Sequence, residues 1–184
     1  MPRPTGLGSR RTQGSTLCAF AIVILLAWGL PARAASLSLK DMQVLSRALG
    51  FVQPGLASGT VAIAYSAADP ASKRDAQEIA ALILGGLRVG GVVLTPEIVE
   101  DTVLGGRRFV VLIAAAGAGR EAIQTASRNA RALCISADME MVRSGHCAMG
   151  IKSAPRVEIV VNHDAVKASG IEFAAAFRMM IKEI

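Results

Sequence analysis

Two glycines and an arginine between residues 114 and 120 have the composition of an anion-binding loop. The sequence Ala114-Ala-Ala-Gly117-Ala-Gly119-Arg120 follows an apolar run and precedes a helical pattern. Glycines at such a junction allow backbone N–H groups and a helix N-terminus to approach an anion. A dinucleotide loop has a third glycine and a P-loop has a Lys-Ser/Thr pair, and neither is present. Gly117, Gly119 and Arg120 are therefore candidate anion-binding residues, with a tight strand-to-helix turn as the alternative.

Two cysteines follow that segment, Cys134 and Cys147. In an oxidising compartment a pair of cysteines is first interpreted as a disulfide. Such a bond stabilises the fold by about 3 kcal/mol in the chain-entropy account. Two free thiols, or a metal site completed by His146 and His163, are the alternatives, although zinc ligands usually have closer spacing.

Ser136, Asp138 and His146 have the residue types of a hydrolytic triad. The G-x-S-x-G sequence that exposes a nucleophilic serine is missing, so we assign no catalytic residue. Three methionines in this region could ligate copper or fill gaps in the core: Met139, Met141 and Met149. These patterns predict a protein without a metal ion or cofactor and favour binding or regulation over catalysis.

Alternating strand and helix patterns predict the elements that would position these residues. Apolar runs predict strands at residues 60–66, 89–94, 108–114, 132–136, 147–151 and 157–162. Amphipathic spacing predicts helices at residues 39–52, 71–84, 120–130 and 172–182. We expect a single three-layer α/β domain. Its sheet should be mostly parallel, with helices on both faces and antiparallel strands near the C-terminus.

The N-terminal sequence has the three parts of a secretory signal. Arg3, Arg10 and Arg11 precede an apolar run at residues 17–30, and Ala32-Arg33-Ala34 forms an A-x-A site. A membrane-spanning helix needs about 20 apolar residues, so an uncleaved anchor is the less favoured alternative. We expect residues 1–34 to be removed near Ala34, leaving residues 35–184 as the exported domain.

Removal of the signal changes the charge of the protein. Four of the 20 basic residues and none of the 14 acids lie in residues 1–34, so the domain has 16 basic residues against 14 acids and a formal charge of +2. A nucleic-acid partner usually requires a strongly basic face. The domain also contains one tyrosine and no tryptophan, which leaves few stacking platforms for bases. The sequence therefore gives no indication of a nucleic-acid partner.

A family resemblance rests on the C-terminal half of the chain. It consists of the Ser136-Ala137-Asp138 loop, the turn at Gly145, an apolar strand ending in Asn162, and an alanine-rich segment before a terminal helix. The opening helix and the TVAIAYS strand fit the same pattern. In these features the chain resembles the YfiR-like family of periplasmic proteins.

The resemblance implies a non-enzymatic periplasmic regulator. YfiR-like proteins bind the periplasmic sensor domain of an inner-membrane diguanylate cyclase and restrain cyclic-di-GMP synthesis, and thereby biofilm formation. The expected partner is such a cyclase or a sensor kinase, with a homodimer as a further option. The resemblance also implies that a Cys134–Cys147 bond could link stability to the periplasmic redox state. The alternative function is a periplasmic protein that binds a small solute or anion at Gly117, Gly119 and Arg120.

Overall fold

The computed structural model of the protein describes residues 35–184, so the predicted signal at residues 1–34 lies outside it. Its strands are β1 (Val52–Gln53), β2 (Thr60–Tyr65), β3 (Leu87–Val89), β4 (Val92–Glu100), β5 (Val111–Ala114), β6 (Leu133–Ser136), β7 (Met149–Lys152), β8 (Glu158–Val161), β9 (Glu172–Phe173) and β10 (Lys182–Glu183). Its α-helices are α1 (Leu39–Leu49), α2 (Pro70–Leu82), α3 (Arg120–Ala130), α4 (Met139–Arg143), α5 (His163–Ala168) and α6 (Ala175–Arg178). A 3-10 helix, Asp101–Gly106, links β4 to the segment before β5.

Eight strands form one sheet in the order β10-β8-β7-β6-β5-β2-β4-β3. The five strands from β7 to β4 are parallel to their neighbours. Antiparallel strands flank them, since β3 pairs with β4 and β8 pairs with β7 in that sense. The prediction of a mostly parallel sheet with antiparallel strands near the C-terminus is confirmed.

The two faces of the sheet carry separate apolar cores. On the first face, Ile63, Ile113 and Ile135 pack with α1 and α2. On the second face, alternate residues of the same strands, such as Leu112 and Cys134, pack with α3, α4 and the 3-10 helix. Side chains of a strand alternate between faces, so continuously apolar strands require cover on both sides. The predicted three-layer arrangement follows from this requirement.

The hairpin β3–β4 corrects one prediction. The sequence predicts a single strand at residues 89–94, whereas β3 ends at Val89 and β4 runs from Val92 to Glu100. Gly90, with φ +58°, and Gly91 form the turn between the two strands. Pro96 fits within β4 because the pairing with β3 covers only Val92 to Leu94. Beyond Leu94 this side of β4 lacks a paired strand, and proline is tolerated at such an edge.

The C-terminal segment corrects a second prediction. A helix over residues 172–182 is expected, but the segment forms β9, the single turn α6 and the edge strand β10. Sheet pairing overrides the helical pattern, since β9 pairs with β1 and the Ala174 N–H donates to the Phe51 carbonyl. Phe173 and Phe177 still meet as their spacing predicts, with ring centroids 5.0 Å apart. Met180, which would lie on the same face of a helix, is 65% exposed.

Candidate functional site at the carboxyl edge of the sheet

The carboxyl ends of β5, β6 and β7 meet at one edge of the sheet, where ligands of parallel α/β proteins commonly bind. A cleft of about 770 Å³ lies there, between the loops that follow these strands and the N-terminus of α1. We call it the carboxyl-edge cleft. Its lining residues include Gly117, Ser136, Asp138, Arg143, Lys152 and Asp41.

The loop after β5 has two of its N–H groups bonded to carboxylates of the protein itself. The Ala116 N–H donates to Oδ2 of Asp75 in α2 at 2.7 Å. The Gly119 N–H donates to Oδ2 of Asp101 in the 3-10 helix at 2.8 Å. Asp75 and Asp101 are 9% and 7% exposed, so these bonds are shielded from water. Carboxylates from opposite faces of the sheet therefore hold the loop from both sides.

These bonds decide whether the predicted residues Gly117, Gly119 and Arg120 are free to bind an anion. The Gly119 N–H already has a charged acceptor, and the Arg120 Nη2 lies 3.4 Å from Asp138 Oδ2. Arg120 and Asp138 are both more than two-fifths exposed, so their pair contributes little to stability. The glycines form a strand-to-helix turn in which internal carboxylates occupy positions that an external anion would require.

Gly117 and Gly119 are glycines for separate steric reasons. Gly117 has φ +78°, and a Cβ atom there would lie 2.7 Å from Oδ2 of Asp69. A Cβ at Gly119 would lie 3.0 Å from Oδ2 of Asp101. The close approach of carboxylates therefore accounts for the small residues that suggest a phosphate loop.

Ser136 and Asp138 form a turn between β6 and α4. The Ser136 hydroxyl accepts from the Asp138 N–H at 3.1 Å, and Asp138 Oδ1 accepts from the Glu140 N–H at 2.9 Å. His146 instead has its Nδ1 2.8 Å from the Ser144 hydroxyl, in the segment that leads into β7. Within residues 35–184 these three side chains make no chain of hydrogen bonds from nucleophile to base to acid. Ser136 and Asp138 contact each other, and His146 belongs to a different turn.

Asp41 lines the cleft from the first turn of α1. It forms a capping box with Ser38, in which Asp41 Oδ2 accepts from the Ser38 N–H at 2.8 Å and from its hydroxyl at 2.6 Å. Burial raises the pKa of Asp41, but hydrogen bonding by Ser38 and the proximity of Ser153 outweigh it and hold the pKa below its ordinary value. Asp41 is therefore an ionised carboxylate in a buried position, 6% exposed.

The predicted disulfide is present. Cys134 in β6 is bonded to Cys147, just before β7, with Cα atoms 5.0 Å apart. Both cysteines are at most 1% exposed and lie in the core of the second face. The bond closes the β6–α4–β7 connection, and neither sulfur is available as a thiol nucleophile or a metal ligand.

The methionines do not meet as copper ligands would. Met139 and Met141 pack in the core of the second face, whereas Met149 lies in the core of the first face. Across residues 35–184, no group of three or more His, Cys, Asp or Glu side chains is arranged to hold a metal ion. These methionines fill space in the two cores, which is the alternative to copper binding given above.

Three carboxylates at this edge are not among the residues predicted from the sequence: Asp41, Asp75 and Asp101. A usable signal exists for Asp41, because Ser38-Leu-Lys-Asp41 has serine and an acid at capping-box spacing. Asp75 and Asp101 bond to backbone groups 41 and 18 residues away, and such pairs follow only from the tertiary fold.

Comparison with known proteins leaves the family open. No protein-family model matches the chain, and no curated protein is significantly similar to it. Among the helices in residues 35–184, none is long and apolar enough to cross a bilayer.

Replacement of Gly117 by alanine tests the packing of the β5–α3 loop. We expect Gly117→Ala to lower the free energy of unfolding by about 1–3 kcal/mol, because the residue has a positive φ and its Cβ would meet Asp69. Gly105→Ala is the matched control, since its Cβ would meet nothing within 4 Å, and a change within about 0.5 kcal/mol is expected. Urea unfolding of both variants measures the difference, and equal stabilities would contradict this account.

The burial of the Cys134–Cys147 bond predicts its behaviour towards reductants. We expect a mild phosphine reductant to leave the bond intact in the native domain and to reduce it once urea unfolds the chain, as followed by thiol labelling and mass. Simultaneous Cys134→Ala and Cys147→Ala replacement should lower the free energy of unfolding by about 3 kcal/mol. Equal reduction rates with and without urea would show that the bond is accessible.

Proposed function

We propose that this protein is a non-enzymatic regulator in the periplasm. It binds the periplasmic sensor domain of an inner-membrane signalling protein, a diguanylate cyclase or a sensor kinase, and modulates cyclic-di-GMP signalling. Residues 1–34 direct export and are removed near Ala34. Regulation follows if the domain binds one state of its receptor more tightly than another and so shifts the receptor's population.

The observation that carries this proposal is that polar side chains at the carboxyl edge bond to the protein's own backbone. In other α/β proteins this edge supplies catalytic groups. Here Asp75, Asp101 and Asp138 accept hydrogen bonds from backbone N–H groups, and the Ser136 hydroxyl does so too. These side chains fix loops in place, which suits a rigid surface for binding better than a site for chemistry.

The region of the YfiR-like resemblance has a coherent structural role. Asn162 ends β8, where its Nδ2 donates to the Val142 carbonyl at 3.0 Å and its Oδ1 accepts from the Ala165 N–H at 2.9 Å. One side chain thus closes α4 and begins α5. Gly145 has φ +75°, and its carbonyl accepts from Gln124 Nε2 at 2.9 Å. These contacts give Asn162 and Gly145, two residues of the resemblance, a structural role in this domain.

The disulfide supports export. Structural disulfides persist in the bacterial periplasm and are rare in the reducing cytosol. A buried bond between Cys134 and Cys147 is thus consistent with the secretory signal predicted from residues 1–34.

Membrane capture and cyclic-di-GMP measurement test the regulatory function. Tagged mature domain should recover an inner-membrane protein that joins a periplasmic domain to a cyclase or kinase domain. If that partner is a cyclase, deletion of the gene should raise cellular cyclic-di-GMP and the wild-type gene should restore it. Recovery of no such membrane protein by the folded domain would contradict the proposal.

Ser136→Ala separates regulation from catalysis in that experiment. A regulator without a nucleophile should retain partner capture and cyclic-di-GMP control when the Ser136 hydroxyl is removed. The melting temperature is recorded in parallel, because the hydroxyl also accepts from the Asp138 N–H. Loss of control in a variant of unchanged stability would favour a hydrolase.

The carboxyl-edge cleft favours a second candidate, a protein that binds a small solute or anion. Its volume of about 770 Å³ suits a small molecule. Thermal-shift screening with inorganic phosphate and small carboxylic acids tests this function. A true ligand at 100 times its Kd should stabilise the domain by about 2.7 kcal/mol. Arg143→Gln, which removes a cation that lines the cleft, should reduce an anion-dependent shift. The absence of any shift would argue against this candidate.

A further inference from the structure

The carboxyl-edge cleft also contains the first residues of the described range. Ala35 and Ser36 line it together with Ser38 and Asp41. Leu37, between them, is 4% exposed and packs in the core of the first face. This buried leucine anchors the segment, so Ala35 lies at the cleft.

The charged groups of the cleft include more acids than bases. Asp41, Asp138 and Glu140 line it, opposed by the cations Arg143 and Lys152. Asp138 already caps α4 and lies near Arg120. With Arg120 counted, three acids face three cations, so the carboxylate nearest to a positive charge decides whether that charge is favoured here.

One carboxylate oxygen in this cleft is unpartnered. Within the described range, Oδ1 of Asp41 is buried and has no hydrogen-bond partner. Ser153 is near enough to lower the pKa of Asp41, yet neither its hydroxyl nor its N–H makes a hydrogen bond of normal geometry to Oδ1. A buried acceptor without a donor costs about 1–3 kcal/mol, more when it is charged. The capping box uses only the other oxygen, Oδ2.

Signal removal creates a new donor at this place. Hydrolysis of the Ala34–Ala35 amide by water leaves a carboxylate on Ala34 and an amine on Ala35. The amine takes up a proton at neutral pH, since an α-amino group has an ordinary pKa of about 7.7–8.0. A neutral amide with one N–H thus becomes an ammonium group with three.

We propose that the carboxyl-edge cleft is a binding site for the α-ammonium group of Ala35, with Asp41 as its counterion. Export processing then completes the native domain, and the unprocessed chain lacks this ion pair. The inference rests on the cleavage position in the proposed function. It assigns Asp41 a second role beyond the cap of α1.

The pair has a defined pH dependence. Carboxylates around the α-ammonium favour its charged form and raise its pKa in the folded domain. Arg143 and Lys152 oppose this effect, as does Arg120 through its pair with Asp138. Asp41 outweighs them because a counterion in direct contact interacts more strongly than charges farther away. A raised pKa means that the stabilisation is fully present below the ordinary α-amino pKa and is lost as the pH rises through the folded value.

The test compares three forms of the domain that differ only at the N-terminus. The first begins with the free amine of Ala35, the second has that amine acetylated, and the third carries one additional glycine. We expect the first form to have an α-amino pKa above about 8, measured by NMR of a labelled Ala35. At pH 6.5 its melting temperature should exceed that of the other two by about 2–4 °C.

Side-chain variants assign the counterion. Asp41→Asn should abolish the difference between the free and acetylated forms and return the α-amino pKa to its ordinary range. Asp164→Asn, at an exposed position in α5, is the matched control and should retain both effects. Loss of the difference in Glu140→Gln instead of Asp41→Asn would overturn the assignment. Equal melting temperatures for all three wild-type forms would overturn the site itself.

Mass spectrometry of the exported protein distinguishes the two proposals. An N-terminus other than Ala35 overturns the Ala35 site and leaves the regulatory function standing. A raised α-amino pKa in a protein that recovers no membrane partner supports the site and counts against the regulator.

Discussion

Backbone N–H groups at the carboxyl edge of a parallel sheet need acceptors, and in this domain the acceptors are carboxylates of the protein itself. The chain leaves β2 over the first face and reaches β5 from the second, so the loop after β5 lies where the two layers separate. Asp75 reaches it from one layer and Asp101 from the other. The same principle recurs at the starts of α1 and α4, where Asp41 and Asp138 bond to nearby backbone N–H groups. The path of the loop after β5 depends on the bonds to Asp75 and Asp101, and a side chain at Gly119 would lie too close to Asp101.

This arrangement explains why the loop resembles an anion site in sequence. A phosphate loop and a carboxylate-stapled loop both need small residues that admit a negatively charged oxygen close to the backbone. The two differ only in where that oxygen comes from. Residues 114–120 alone cannot distinguish them, because Asp75 and Asp101 lie far away along the chain. The loop is therefore explained by the fold, and a functional role is better sought on the surfaces around it.

Local patterns were enough to predict much of the fold. The apolar runs of β2, β5 and β6 depend on neighbours in sequence, and the structure has these strands as expected. The prediction was wrong where distant pairing decides conformation. Residues 172–182 have helical spacing, yet β1 and β8 recruit their backbone into strands. At the candidate site, the disulfide was predictable from two cysteines and an expected oxidising compartment, whereas the buried carboxylates required the fold.

The location of the disulfide restricts when it can form. Cys134 and Cys147 lie in the core beneath α3 and α4, where a folded domain offers no access to an oxidising enzyme. Oxidation by such an enzyme must therefore precede the closure of that core, while β6 and the start of β7 are still exposed. A chain that closed first would bury two thiols at close range. The order of oxidation and collapse is thus part of how this protein reaches its native state.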